Sequence, residues 1–214
     1  VKVMTIEISA LRKLLRIADS KLEIRVVRSA SDWNDVRALR NQVYYHELGR
    51  IALEHIIDEF DAKAVLYNAY LGNRIVGTIR CMDPFASPLE IVETYPDIVD
   101  LIDPDKRYLE IGRLMTAKDI RNGVVSVRLY FQALKLATKV SADGVLLTCS
   151  PHLIRLYDKV GFRLLSPIPI NRKYLLGAED YIMIFDFEEQ KDFYTRLRPL
   201  IWAMEEEKSI EQSV

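Results

Sequence analysis

The sequence predicts an α/β domain built on a mixed, twisted sheet with helices on both faces. Two segments carry that reading. Early in the chain, apolar runs at 64–71 and 74–82 flank Gly72-Asn73, a dipeptide suited to closing an antiparallel hairpin. Further on, apolar runs at 108–116 and 145–149 bracket an amphipathic stretch at 124–142, the pattern of a strand–helix–strand unit. Composition agrees, since 214 residues of which 50% are hydrophobic suit one domain with a sizeable core.

The remaining elements follow in order. Residues 3–22 read as an amphipathic helix, with Leu11, Leu14, Leu15 and Ala18 on one side and Arg12, Lys13 and Arg16 on or beside the other. Alternation in EIRVVR predicts a strand at 23–28. Ser31 and Asp32 offer an N-cap for a helix to about residue 48, whose apolar face is Trp33, Val36, Leu39 and Val43. Arg40 and Tyr44 border that face, which puts a charge beside the core or a cleft. After the hairpin, residues 84–106 hold four prolines and a short helix at about 90–102; a connection that long is more often a functional lid than a spacer. Asp143-Gly144 closes the 124–142 helix, and the strongly apolar 145–149 suits a central strand. A short helix at 151–160 ends at Gly161 and leads into a strand at 162–165. A last strand at 181–187 and a helix at about 188–208 complete the chain. The expected division is a terminal helix at 1–22, a domain at 23–187 and a second terminal helix at 188–214. Amphipathic termini of this kind suit packing on the domain or on a second copy in a homodimer.

Charge and motifs remove several classes of function. With 30 basic and 31 acidic residues the net charge is −1, so no overall field favours nucleic acid or an anionic membrane. Apolar runs are too short to span a bilayer, and no secretion signal is legible at the ends, so a cytoplasmic protein is expected. Cys81 and Cys149 lie inside strand-like runs and read as reduced core residues. His46, His55 and His152 lack metal-ligand spacing, so no metal is expected. No G-x-S-x-G elbow, P-loop or dinucleotide fingerprint is present. Chemistry is left to carboxylates, arginines, tyrosines and the backbone.

Such residues are concentrated. Asp58 and Asp61 stand in DEFD just before the hairpin, Arg80 in IVGTIRCM, and Glu110 and Arg113 in YLEIGRLM. Charges within apolar strands are costly unless paired or facing a cleft. Strict alternation puts Glu110 and Arg113 on opposite faces, but a β-bulge at Gly112 would bring both to one. An ion-pair network and a catalytic cluster are equally compatible with this pattern. Tyr157, in PHLIRLYDKVGF, falls on a helix starting at the carboxyl end of the most apolar strand, where α/β folds bind ligands; a core aromatic with its hydroxyl at the rim is the plainer alternative. On the 124–142 helix, Arg128, Gln132, Lys135 and Lys139 form a stripe opposite Val127, Phe131, Leu134 and Thr138, a solvated face or a docking site for an acidic partner.

The order of elements, together with P-H-L-x-R-L-Y-x-x-x-G-F after the fifth strand, resembles the GNAT superfamily of N-acyltransferases. Within it, residues 37–116 resemble the acyl-homoserine-lactone synthases and the long-chain N-acyl amino acid synthases. The matches run in order: Arg40 and Tyr44 on the first long helix, Asp58, Phe60 and Asp61 as D-x-[FY]-D, and Arg80 after Gly77. A proline-containing excursion with Ser87-Pro88-Leu89 and Tyr95-Pro96 then leads to Glu110 and Arg113 as E-x-x-R. The resemblance spans about 23–187. Two departures favour the amino acid synthase branch: residues 46–51 lack the tryptophan of the lactone synthases, and 156–162 supply the L-Y-x-x-x-G-F helix those enzymes usually lack. The GNAT pyrophosphate loop is also distorted, since Gly123 stands one place early in residues 121–126. That weakens coenzyme A as donor and fits acyl-carrier-protein.

The resemblance implies a GNAT-like N-acyltransferase fold, no bound cofactor, and acyl-ACP (or acyl-CoA) as cosubstrate. It implies transfer of a long-chain acyl group to the α-amine of an amino acid. Glu110 would be the base, directly or through a water, and backbone N–H groups at a Gly112 bulge would meet the oxyanion. Tyr157 would protonate the leaving thiolate. Arg40, Arg80 and Arg113 would hold the acceptor carboxylate or fix the Asp58/Asp61 loop, with Tyr44 beside them. Arg128, Lys135 and Lys139 would meet the acidic carrier protein. Other readings are a lactone synthase using S-adenosylmethionine, a CoA-dependent acetyltransferase, and a non-catalytic acyl or carrier sensor.

Overall fold

The computed structural model describes residues 22–49, 55–83, 85, 88–121, 123–171 and 179–211. The helix expected at 3–22 lies outside them except for Leu22, which opens the first strand. The chain runs β1 (Leu22–Val26), α1 (Ala30–Arg40), β2 (Val65–Leu71), β3 (Arg74–Met82), α2 (Glu90–Thr94), β4 (Tyr108–Thr116), α3 (Val124–Lys139), β5 (Gly144–Cys149), α4 (Ile154–Lys159), β6 (Arg163–Leu164), β7 (Ile170–Asn171), β8 (Glu179–Asp186) and α5 (Lys191–Glu211). The strands line up as β1-β2-β3-β4-β5-β8-β6, with β7 also on β8. β4 and β5 pair in parallel, and every other pairing is antiparallel. The sheet is therefore mixed, as the hairpin and the strand–helix–strand unit require.

Local chemistry explains where elements begin and end. Ser29, not Ser31 or Asp32, caps α1: its hydroxyl accepts the Asp32 N–H at 3.1 Å while the Asp32 carboxylate accepts the Ser29 N–H at 2.8 Å. After Arg40 the helix widens into a π-helical turn, Asn41–Glu47, a geometry frequent at functional sites. The β2–β3 hairpin turns on Gly72 at φ +59°, open to glycine without steric cost. Within the proline-rich excursion, helix is confined to α2 and a tight turn at Pro96–Asp100.

Alternation along the central strands divides the core in two. Leu109, Ile111, Val145 and Leu147 face Leu129 and Leu134 of α3 and Phe193 and Leu197 of α5. Met82, Tyr108, Leu146 and Ile184 face the opposite way, onto Leu89, Ile91 and Ile98 of the excursion. Each such side chain contributes about 1.5–3 kcal/mol when fully buried. The excursion is thus the second cover of the sheet and part of its core. Because the sheet and α5 both pack on α3, that helix is buried over more of its surface than a single apolar stripe would be.

Gly144 begins β5 where no side chain fits: a Cβ there would lie 2.2 Å from the Phe185 carbonyl oxygen and 3.0 Å from the Tyr108 ring. Gly144→Ala is expected to cost about 2–4 kcal/mol, because relief requires moving backbone rather than a side chain. Urea unfolding checks it as a lower midpoint at unchanged slope.

Candidate functional site

β4 and β5 pair from Tyr108–Gly144 to Ile111–Leu147. Beyond that rung they part, β4 following β3 and β5 following β8. The divergence coincides with a bulge in β4: between the Thr78–Met115 and Arg80–Gly112 pairs, Arg113 and Leu114 stand opposite Ile79 alone. Arg113 takes the left-handed conformation, φ +53°, a state that costs a residue with a Cβ about 1–3 kcal/mol unless its surroundings hold it. The bulge expected at Gly112 is therefore present, displaced by one residue. Between the parted strands lies a cleft of about 500 Å³ whose walls include Tyr44, Gly112, Arg113, Cys149, His152 and Tyr157.

Behind the β4 wall lies a buried ionic network. Arg40 and Asp61 form a two-pronged pair at 2.7 and 2.8 Å, with both side chains essentially inaccessible, and Arg40 also donates to the Ile56 carbonyl at 3.1 Å. Asp61 accepts the Asp58 N–H at 3.0 Å, so the pair shapes the DEFD turn. Asp58 receives Arg80 on one oxygen and Arg113 on the other, each at 2.7 Å. Arg80 is also paired with Glu90 at the start of α2, and Glu110 accepts the Ile91 N–H at 3.0 Å. Two carboxylates thus pin the excursion to the sheet. Burial opposes charge on Arg80, but Glu90, Asp58, Asp61 and Glu110 around it raise its pKa. Burial likewise opposes charge on Asp61, yet Arg40 and then Arg80 hold its carboxyl down at about 2.

This geometry sorts the residues singled out from the sequence. Arg40, Tyr44, Asp58, Asp61, Arg80, Glu110 and Arg113 do converge on one region. Arg40 and Arg80 are sealed from solvent with their terminal nitrogens on carboxylates of the network, so they fix the Asp58/Asp61 loop rather than meet an acceptor carboxylate. The Arg113 guanidinium is held by Asp58, 5.5 Å from the Tyr44 ring centre. Glu110 is buried and does not line the cleft; it sits one pleat, about 6–7 Å, along β4 from Gly112, which does. Tyr157 does line the cleft. Burial pushes its phenol up, and Cys149 and Tyr44 add to the rise, so it stays protonated at neutral pH. Burial also pushes the Cys149 thiol up, to about 12, which leaves it a poor nucleophile.

The basic stripe on α3 is not continuous in the fold. Lys135 is buried, its ammonium 5.7 Å from the Trp202 ring centre on α5; Arg128 is half-buried and Lys139 exposed. The C-terminal helix covers what helical periodicity alone assigned to solvent. Glu90 and the cleft residues Ser150, His152 and Asp180 were not singled out from the sequence as site residues. Among the described residues no group of His, Cys, Asp and Glu is placed to hold a metal ion, and no helix is long and apolar enough to cross a membrane.

The sequence model of the N-acyl amino acid synthase FeeM matches residues 35–183, which takes in the whole network, the bulge and the cleft. The chain belongs to the FeeM family. It is an N-acyltransferase with the GNAT-like fold. FeeM itself, from uncultured soil microbes, superimposes with a TM-score of 0.68 at 14% identity, over 80% of this chain and 93% of that one. BjaI, a CoA-dependent acyl-homoserine lactone synthase, gives 0.62 at 16% identity over 82% and 89%. A putative N-acetyltransferase from Lactobacillus plantarum gives 0.59 at 21% identity over 78% and 99%. No curated protein sequence matches the chain. The ionic network stands behind the strand that walls the cleft of this FeeM-family chain.

Asp61→Asn would leave the Arg40 guanidinium buried without its carboxylate, at an expected cost of about 3–5 kcal/mol at neutral pH. The double variant Arg40→Met/Asp61→Leu, which removes both charges, should regain a large part of that loss. Because the folded-state pKa of Asp61 is depressed, its contribution is full above the ordinary value of 3.8 and lost as pH falls towards about 2. Denaturant titrations between neutral pH and pH 2 should show a steeper acid loss in the wild type than in the double variant.

Proposed function

We propose that this enzyme transfers a long-chain fatty acyl group from acyl-carrier-protein to the α-amine of an amino acid. The observation that carries the reading is the cleft between β4 and β5, bounded on one side by the bulge and on the other by the protonated Tyr157. The donor thioester would lie between these walls. The acceptor amine attacks the thioester carbon, its proton passes through one bridging water to Glu110 behind Gly112, and an oxyanion forms. Backbone N–H groups of the bulged segment stabilise that oxyanion. Collapse of the intermediate breaks the C–S bond, and Tyr157 gives its proton to the leaving thiolate. The amide bond is then complete, and the cycle closes as Glu110 releases its proton to solvent and Tyr157 regains one.

The loop before α3 supports a carrier protein as donor. In the GNAT pattern this loop grips the coenzyme A pyrophosphate, but here Arg121 is spent on Glu47 at 2.6 Å and on the Thr116 carbonyl at 3.2 Å. Beside the cleft residue His152, Arg155 is exposed and offers positive charge to an acidic carrier. Acyl-CoA is the alternative donor, a reading favoured by the likeness to a CoA-dependent synthase.

Purified protein given acyl-carrier donors and the common amino acids should yield N-acyl amino acids, detected by mass spectrometry; no product with any acceptor, from either donor class, ends the reading. Glu110→Gln is expected to lower turnover by roughly 100-fold or more, as loss of a general base does. Tyr157→Phe should lower it by about tenfold or less, since a thiolate leaves without much help.

A further inference from the structure

Arg113 occupies a backbone position that glycine would hold without cost, and Gly112 stands directly before it yet does not take it. Of the described residues other than glycine, only Arg113 and Ser141 have positive φ. Ser141 follows α3, where a left-handed residue is an ordinary way to end a helix. Arg113 lies mid-strand, where nothing in the local chain requires it. Its guanidinium is turned away from solvent, with the side chain 4% exposed and Nη2 donating to Asp58 Oδ2 at 2.7 Å.

The tether closes a ring around the bulge. The second Asp58 oxygen accepts from Arg80 Nη1 at 2.7 Å and from the Phe60 and Asp61 N–H groups at 3.1 and 3.2 Å. Arg80 is itself on β3, opposite Gly112. Contacts therefore run from the bulge out along the Arg113 side chain to Asp58, back through Arg80 to β3, and across the ladder to the residue before the bulge. Only Gly112 separates the bulge from the last rung joining β4 to β5, at Ile111.

We propose that Arg113 is a positioning residue whose working part is its main chain. Its side chain, anchored on Asp58, holds the left-handed bulge that keeps β4 parted from β5 and the cleft open. The guanidinium makes no contact with the acceptor. This rests on the acyltransfer reading for its kinetic readout and is independent of it for its structural one.

Comparison of Arg113→Ala with Arg113→Gly tests it. Both lose the tether, but only glycine keeps the left-handed conformation at no steric cost. The glycine variant should turn over about tenfold faster than the alanine variant, the rate equivalent of the left-handed penalty, with KM for the amino acid near wild type in both. Equal rates with a raised acceptor KM in both variants would overturn the proposal and assign the guanidinium to the acceptor carboxylate. Thermal unfolding gives the second arm and needs no substrate. Glycine normally costs stability relative to alanine through its greater chain entropy. Here Arg113→Gly should melt at or above Arg113→Ala, and the alanine variant should exchange its amides at 112–115 faster. An alanine variant melting a few degrees higher, with unchanged exchange, would overturn the proposal even if wild-type protein acylated nothing.

Discussion

The Arg40–Asp61 pair is the contact on which the site depends. It joins the end of α1 to the DEFD turn, and through that turn it places Asp58 between Arg80 and Arg113. Taking these charges out of water is expensive, and the expense is offset only because nearly every oxygen meets an oriented donor. A partly satisfied version would be worse than an apolar core of the same volume. The network therefore holds one geometry, and the wall of the cleft inherits that geometry from it.

The same arrangement explains why the proline-rich excursion is not a loose connection. Glu90 and Ile91 at the start of α2 are bound to Arg80 and Glu110, and Leu89, Ile91 and Ile98 fill one face of the sheet. A mobile lid would have to break both the ionic and the apolar contacts. The network thus does two jobs at once: it supports the β4 wall of the cleft and fastens the cover over the neighbouring core.

Much of this was legible from residue order. Gly72-Asn73 between apolar runs located the hairpin, and the 108–149 segment located the parallel pair, because turn chemistry and hydrophobic period are local properties. Gly112 between Glu110 and Arg113 on an apolar strand signalled a bulge, since strict alternation would send the two charges to opposite faces. Where the strain falls was not legible: Arg113 rather than Gly112 is left-handed, and its side-chain partner Asp58 stands 55 residues away. The burial of Lys135 was hidden for the same reason, because helical periodicity carries no information about α5 packing over α3. Glu90 looked like an ordinary helix-start carboxylate until the fold brought it to Arg80.

The π-helical turn at Asn41–Glu47 carries Val43 and Tyr44, both on the cleft wall. A π turn amounts to an α-helix carrying one surplus residue. The wall is in that sense set by a count of residues as well as by their identity. Loss of a single residue from this stretch would rewind it to regular helix, and because the turn absorbs its surplus residue locally, the change would be confined to the few side chains within it. The lining contributed by the turn would then change while the Arg40–Asp61 anchor, upstream of the turn and across from it, stayed in register. Length variation at this one turn is thus a route to a different cleft lining that leaves the ionic framework untouched.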